Sequence, residues 1–120
     1  QMLRLYPAYY PLQQALVDLQ TKQNKPALAE QTLDELLKTR PFDPDIWYQV
    51  AEVRGQTANI VGLHQARAEF FALNGDYPQA IQQLEFAKSR AGKNFPLSAK
   101  IDARQQQLME EQQMLEQMMR

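Results

Sequence analysis

The sequence predicts an all-α fold of about six helices packed one after another. Most of its seven prolines and four glycines fall where a helix would begin or end. Between them, apolar residues recur with the spacing of one helix face. Valine and isoleucine are few and never alternate over a run, so no segment has the pattern of a strand.

Proline, glycine and aspartate residues mark the expected ends of each helix. Proline is tolerated in the first turn of a helix, and four prolines suit that position: Pro26, Pro44, Pro78 and Pro96. Glycine suits the position just after a helix, which Gly55, Gly75 and Gly92 would occupy. Asp43 and Asp45 are good N-terminal caps. The expected helices span 9–22, 26–39, 44–54, 58–74, 76–91 and 96–118.

Two of these helices have a clear buried stripe. The second would place four leucines on one face: Leu28, Leu33, Leu36 and Leu37. The fifth would bury Ala80, Ile81, Leu84 and Ala87. Ala29 and Ala80 are small residues where a neighbouring helix could approach closely.

The phase of the pattern predicts a tetratricopeptide-like (TPR-like) stack, an α–α superhelix. A repeat-like stretch ends at Pro41, and Trp47 follows at the spacing of a new repeat of about 34 residues. The next match, Asn74 to Ala80, comes about half a repeat early. One helix, 58–74, must therefore serve two pairs. Its apolar residues wrap more than one face, and Gly62 within it indicates a close backbone approach.

We expect a single domain over 1–120, with a repeat over 9–41, half-repeat-shifted helices over 44–91 and a capping helix over 96–118. In the capping helix Ile101, Leu108 and Leu115 form a narrow stripe. Its end is rich in methionine: Met109, Met114, Met118 and Met119. That end is either a soft docking surface or an ordinary cap that frays.

Composition excludes several classes of function. The net charge is −1, with 13 basic residues that form no cluster, so neither nucleic acid nor membrane binding is indicated. There is no cysteine, and no apolar run is long enough for a membrane span. Because the chain begins at Gln1 rather than Met, we expect a fragment of a longer protein.

The chain lacks the residues of an enzyme centre, so we predict no catalytic residue, no metal ligand and no cofactor. A zinc site needs about three protein ligands, and His64 is the one histidine. We expect His64 to be a structural or surface residue. Asp43 and Asp45 are expected to cap a helix rather than to form a catalytic pair. Trp47 is expected to be a wedge between helices.

In a TPR-like stack the first helix of each pair lines a concave face. The polar residues that the period places there form the candidate partner-binding face: Gln14, Asp18, Lys22, Tyr48, Glu52, Gln56, Gln65 and Glu69. Asp18, Glu52 and Glu69 make it mildly acidic, which would favour basic or polar partner segments. Tyr48 is the most attractive anchor. The alternative is a solvated face that binds nothing.

Three motifs carry a resemblance to a known family. They are W-Y-x-x-A-E from Trp47, A-R-A-E-F-F-A-L-x-G-D-Y from Ala66, and I-D-A-R from Ile101. Together they resemble the C-terminal TPR region of bacterial periplasmic HExxH zinc metalloproteases, the β-barrel assembly-enhancing protease family. The likeness covers roughly residues 7 to 105.

The resemblance implies a non-catalytic interaction domain in the periplasm. The parent would be a zinc endopeptidase with chaperone-like activity, and zinc would lie only in its protease domain. The partners implied are that protease domain, outer-membrane β-barrel clients and the barrel-assembly complex. Two alternatives remain: a generic cytoplasmic TPR scaffold, and an intramolecular regulatory lid on the protease domain.

Overall fold

A computed structural model describes residues 10–120, and the contributions expected from residues 1–9 lie outside this range. Over the described residues the chain forms six α-helices and no strand. Their bounds are α1 Tyr10–Lys22, α2 Pro26–Thr39, α3 Pro44–Gln56, α4 Ile60–Leu73, α5 Tyr77–Ala91 and α6 Phe95–Met118. The predicted all-α fold class is confirmed.

Asx side chains start four of the helices. Asp43 accepts a hydrogen bond from the backbone N–H of Asp45 at 3.0 Å, so Asp43 is the cap of α3 and Asp45 lies in its first turn. Asn59, Asp76 and Asn94 cap α4, α5 and α6 in the same way. Each cap satisfies one of the backbone donors that a helix start leaves free.

Gly75 and Gly92 have positive φ, as predicted for residues that follow a helix. The same prediction is wrong for Gly55, because α3 continues through it to Gln56. A Cβ on Gly55 would lie 3.0 Å from Leu63 Cδ1. A side chain at position 55 would therefore require Leu63 of α4 to shift by a few tenths of an ångström. Ala58 provides the positive φ of the turn.

Each helix packs mainly against the next one in the chain, and the body measures 49 × 36 × 21 Å. Two groups of buried residues make up the core. The first runs from Val17 of α1 to Ala66 of α4, and the second from Ala68 of α4 to Leu108 of α6. Ala66 and Ala68 point about 200° apart around α4. Helix α4 therefore contributes to both groups.

Two expected core residues lie at the surface. Leu28 is 43% exposed, because it precedes Leu33 by five residues and so points about 140° away from it. Thr32 is buried on that face instead, and its hydroxyl donates to Gln20 Oε1 at 2.9 Å. Leu115 is 41% exposed, so the stripe of α6 is buried only as far as Leu108.

None of the helices described is long and apolar enough to cross a membrane.

Candidate partner-binding groove

A cavity of about 410 Å³ lies between α1 and α3. Its lining includes five of the eight predicted residues: Asp18, Lys22, Tyr48, Glu52 and Gln56. Gln14 lies beside it and exchanges hydrogen bonds of 2.8 and 3.1 Å with Gln49. Gln14 also donates to Asp18 Oδ1 at 3.2 Å, so these amides link the two helices along one wall of the cavity.

A smaller cavity of about 130 Å³ adjoins it between α3 and α4. It is lined by Tyr48, Ala51, Glu52, Arg67, Phe70 and Phe71. The rings of Tyr48 and Phe70 are 5.6 Å apart and tilted by 58°, a favourable aromatic contact. Tyr48 and Glu52 line both cavities, so we treat the two together as the Tyr48 groove.

Four charged residues line the Tyr48 groove: Asp18, Lys22, Glu52 and Arg67. Among residues 10–120, the salt bridges do not involve Asp18, Lys22, Glu52 or Arg67. Tyr48 is 55% exposed despite its contact with Phe70. The groove therefore combines an accessible aromatic ring with charges of both signs that lie outside the salt bridges of the described chain.

Gln65 and Glu69 do not join the other six predicted residues. They line a third cavity, of about 250 Å³, with Trp47, Arg54, Lys100 and Arg104 over the buried Leu84 and Ile101; we call it the Arg104 groove. On α4, Gln65 and Glu69 point roughly opposite to Arg67, Phe70 and Phe71. The structure thus divides the predicted face between two grooves on different sides of the stack.

Glu69 is engaged inside the fold. Both of its carboxylate oxygens accept from Arg104 of α6, at 2.8 Å each. This bidentate pair raises the pKa of the Arg104 guanidinium through the hydrogen bonds to Glu69, against the opposing effect of burial. The remaining nitrogen of Arg104 donates to Gln107. Glu69 therefore ties α4 to α6.

Arg54 has a similar role on the same side of the molecule. Its guanidinium donates to Glu30 of α2 at 3.2 Å and to the carbonyl of Gly62 at 3.1 Å. A Cβ on Gly62 would lie 2.9 Å from Arg54 Cδ and 2.8 Å from Asn59 Cγ. The sequence predicted a close backbone approach at Gly62, whereas the atoms nearest to it belong to the side chains of Arg54 and of the helix cap Asn59.

His64 and Trp47 have structural contacts. His64 Nδ1 is 2.8 Å from Gln83 Oε1, and its ring packs 5.4 Å from Phe86. Trp47 packs against the first core group and donates from its indole N–H to the Pro41 carbonyl at 2.8 Å. Within residues 10–120, His, Asp and Glu form no group of three that could hold a metal ion.

Sequence reasoning missed several groove residues: Thr21, Gln49, Arg67, Phe70 and Phe71. Phe70 and Phe71 were signalled by the apolar residues that wrap more than one face of α4, whereas Arg67 had no such signal. A helix between two neighbours buries small residues at the tight contacts, here Gly62, Ala66 and Ala68. Its large aromatic residues then remain partly accessible at the side.

No protein-family model matches this chain, and no curated protein matches it. The resemblance to the periplasmic metalloprotease family therefore rests on the three sequence motifs alone.

Proposed function

We propose that this chain is a non-catalytic protein-interaction domain that holds a segment of a partner protein in the Tyr48 groove. One observation carries the proposal: two adjoining cavities share an exposed tyrosine and a glutamate outside the salt bridges of the described chain. Tyrosine and arginine are enriched among the residues that dominate binding energy at interfaces. Tyr48 and Arg67 are such residues within one groove.

The lining defines the chemistry of the partner segment. The smaller cavity has Phe70 and Phe71 in its wall, which suits one aliphatic or aromatic side chain. The larger cavity has Asp18 and Glu52 in its lining, which suits a basic or polar residue next to that anchor. Lys22 and Arg67 would reject basic residues elsewhere and so would set the register of the segment.

The finer proposal rests on the resemblance. The parent protein would be a periplasmic zinc metalloprotease with chaperone-like activity, and this domain would recruit it to outer-membrane β-barrel proteins or to their assembly machinery. Tyr48 and Glu52 belong to the first motif, and Arg67, Phe70 and Phe71 belong to the second. Residues that carry the family likeness therefore also line the groove, which supports the proposal.

Site-specific photocrosslinking tests both levels of the proposal. A benzophenone amino acid would replace Tyr48 or Glu52 in the chain exported to the periplasm of a Gram-negative bacterium. The matched control replaces Phe42, an aromatic residue in the turn between α2 and α3 that is more exposed than Tyr48. We expect adducts from positions 48 and 52 with an outer-membrane β-barrel protein or a component of its assembly complex.

The same experiment separates the alternatives. If position 42 crosslinks the same proteins equally well, the Tyr48 groove is not the binding site. Adducts only with the protease domain of the parent protein would favour the regulatory lid. If the groove labels proteins outside barrel assembly, the interaction domain stands but the periplasmic assignment fails. In a direct binding assay, Tyr48→Ala should lower the affinity for a partner identified by crosslinking by about tenfold or more.

A further inference from the structure

The distal half of α6 has an apolar stripe that the rest of the described chain leaves open. Ile101, Gln105 and Leu108 are buried, and the same helix face continues through Gln112 and Leu115 toward Met119, the residue that follows the last helical residue. Leu115 is 41% exposed and Met119 more so. The buried stripe and the exposed stripe are therefore one continuous face.

Helix length explains where the burial stops. Helix α6 has 24 residues, whereas its antiparallel neighbour α5 has 15. At 1.5 Å per residue, α6 extends about 13 Å beyond the length that α5 can cover. The exposed part of the stripe lies on this extension, from about Gln112 onward.

Acidic residues flank the exposed stripe on both sides. Relative to its centre, Glu111 lies about 70° to one side and Glu116 about 70° to the other. Between Arg104 and Arg120 the sequence contains three glutamates and no lysine or arginine. Methionine predominates among the exposed apolar residues here, and methionine adapts its shape to different partner side chains.

The acidic flanks favour a basic partner helix over a second copy of this chain. Two copies of the extension packed face to face would set acidic flanks against acidic flanks, whichever way the helices ran. A helix with apolar residues on one face and lysine or arginine on both flanks would be complementary. We propose that the extension of α6, with Leu115 on its exposed stripe and Met119 just past its end, docks a basic amphipathic helix of a partner protein. This site is separate from the Tyr48 groove.

The test uses a synthetic, fluorescein-labelled helix of about 18 residues, since shorter helices are marginal in water. One version has leucine on one face and lysine on both flanks, and its twin has glutamate on the flanks. Each is titrated with the 120-residue chain and followed by fluorescence anisotropy. We expect the lysine peptide to bind at least about tenfold more tightly than the glutamate peptide.

Paired variants locate the site. Leu115→Gln with Met119→Gln keeps helix propensity and removes the stripe, so affinity should fall about tenfold or more. Glu111→Gln with Glu116→Gln should weaken binding and reduce its dependence on salt. The matched control, Phe42→Ser with Glu35→Gln, removes an exposed apolar residue and an acid elsewhere and should leave affinity unchanged. Circular dichroism would verify that each variant remains helical.

A further variant separates this site from the proposed function. Because the Tyr48 groove could also take a leucine and a lysine of the peptide, Tyr48→Ala with Glu52→Gln is measured beside the stripe variant and should lower affinity for the lysine peptide by clearly less than Leu115→Gln with Met119→Gln does. If that variant abolishes binding, the peptide occupies the Tyr48 groove and the docking site on α6 is refuted. Equal losses in the stripe variant and its matched control would also refute it. So would sedimentation showing that the chain self-associates through Leu115 and Met119.

Discussion

The two grooves on opposite sides of α4 use charged residues differently. In the Arg104 groove, Glu69 and Arg104 form a bidentate pair, and Arg54 bonds to α2 and to the backbone of α4. In the Tyr48 groove, Asp18, Lys22, Glu52 and Arg67 lie outside the salt bridges of the described chain. Glu52 and Glu69 look equivalent in the sequence, yet only Glu69 forms a salt bridge within the described chain. A substitution at Glu69 therefore removes a contact between helices, and one at Glu52 does not.

The difference teaches which charges hold helices together and which are available to a partner. A charge reversal at Glu69 would leave Arg104 half-buried against a like charge, and the loss of stability would be mistaken for a loss of binding. The same reversal at Glu52 breaks no salt bridge or side-chain hydrogen bond seen in residues 10–120. Three measurements on stability examine this contrast.

The largest expected effect comes from the floor of the Arg104 groove. Leu84 is fully buried in the second core group, so Leu84→Ala should lower the free energy of unfolding by about 2–5 kcal/mol. Tyr48→Ala, in the other groove, should cost less than about 1.5 kcal/mol, because more than half of that side chain is already exposed. Urea unfolding followed by circular dichroism measures both free energies. Similar losses of stability would contradict the view that the Arg104 groove is structural and the Tyr48 groove is not.

An intermediate effect separates the two glutamates. Glu69→Gln weakens the bidentate pair and should reduce stability by about 1–2 kcal/mol, since the pair is only partly buried. Glu52→Gln is the matched control and should change stability by less than about 0.5 kcal/mol. The free energies come from the same urea titrations. Equal values would mean that the Glu69–Arg104 pair has no structural role.

The smallest effect concerns Asp34, near Arg54. Burial raises the pKa of this carboxyl above its usual value, Glu30 and Glu35 raise it further, and Arg54 opposes the rise. A raised folded-state pKa contributes stability below the unfolded pKa, and that contribution is lost as pH rises through the folded pKa. Asp34→Asn should therefore be slightly stabilising at neutral pH, by less than about 0.5 kcal/mol because the side chain is half exposed.

The pH dependence of thermal unfolding between about pH 3 and 6 checks the Asp34 prediction. Wild type should lose a small increment of stability, relative to Asp34→Asn, as pH rises through this window. A wild type that instead gains stability relative to the variant would show that the attraction to Arg54 at 4.0 Å outweighs burial.

Local rules predicted the helices well because the signals are local. Proline in the first turn, an Asx cap and a helical apolar period each depend on a few neighbouring residues. The error at Leu28 is one of helical period, since its angle around α2 already separates it from Leu33. The errors at Gly55 and Leu115 have another cause: each residue has the right type for its predicted role, but where its helix ends or is covered depends on which helix lies beside it. Leu115 shows this most simply, since its stripe is regular and α5 is too short to cover it.

By itself the sequence determined the all-α class, the order of the helices, the cap of α3 at Asp43 and the tight contact at Gly62. Only the tertiary structure decided which polar residues share a surface. The candidate face was derived from helix order, but a residue's side of the stack depends on its angle around its own helix and on the position of the neighbouring helices. That geometry paired Glu69 with Arg104 and left Glu52 beside Tyr48.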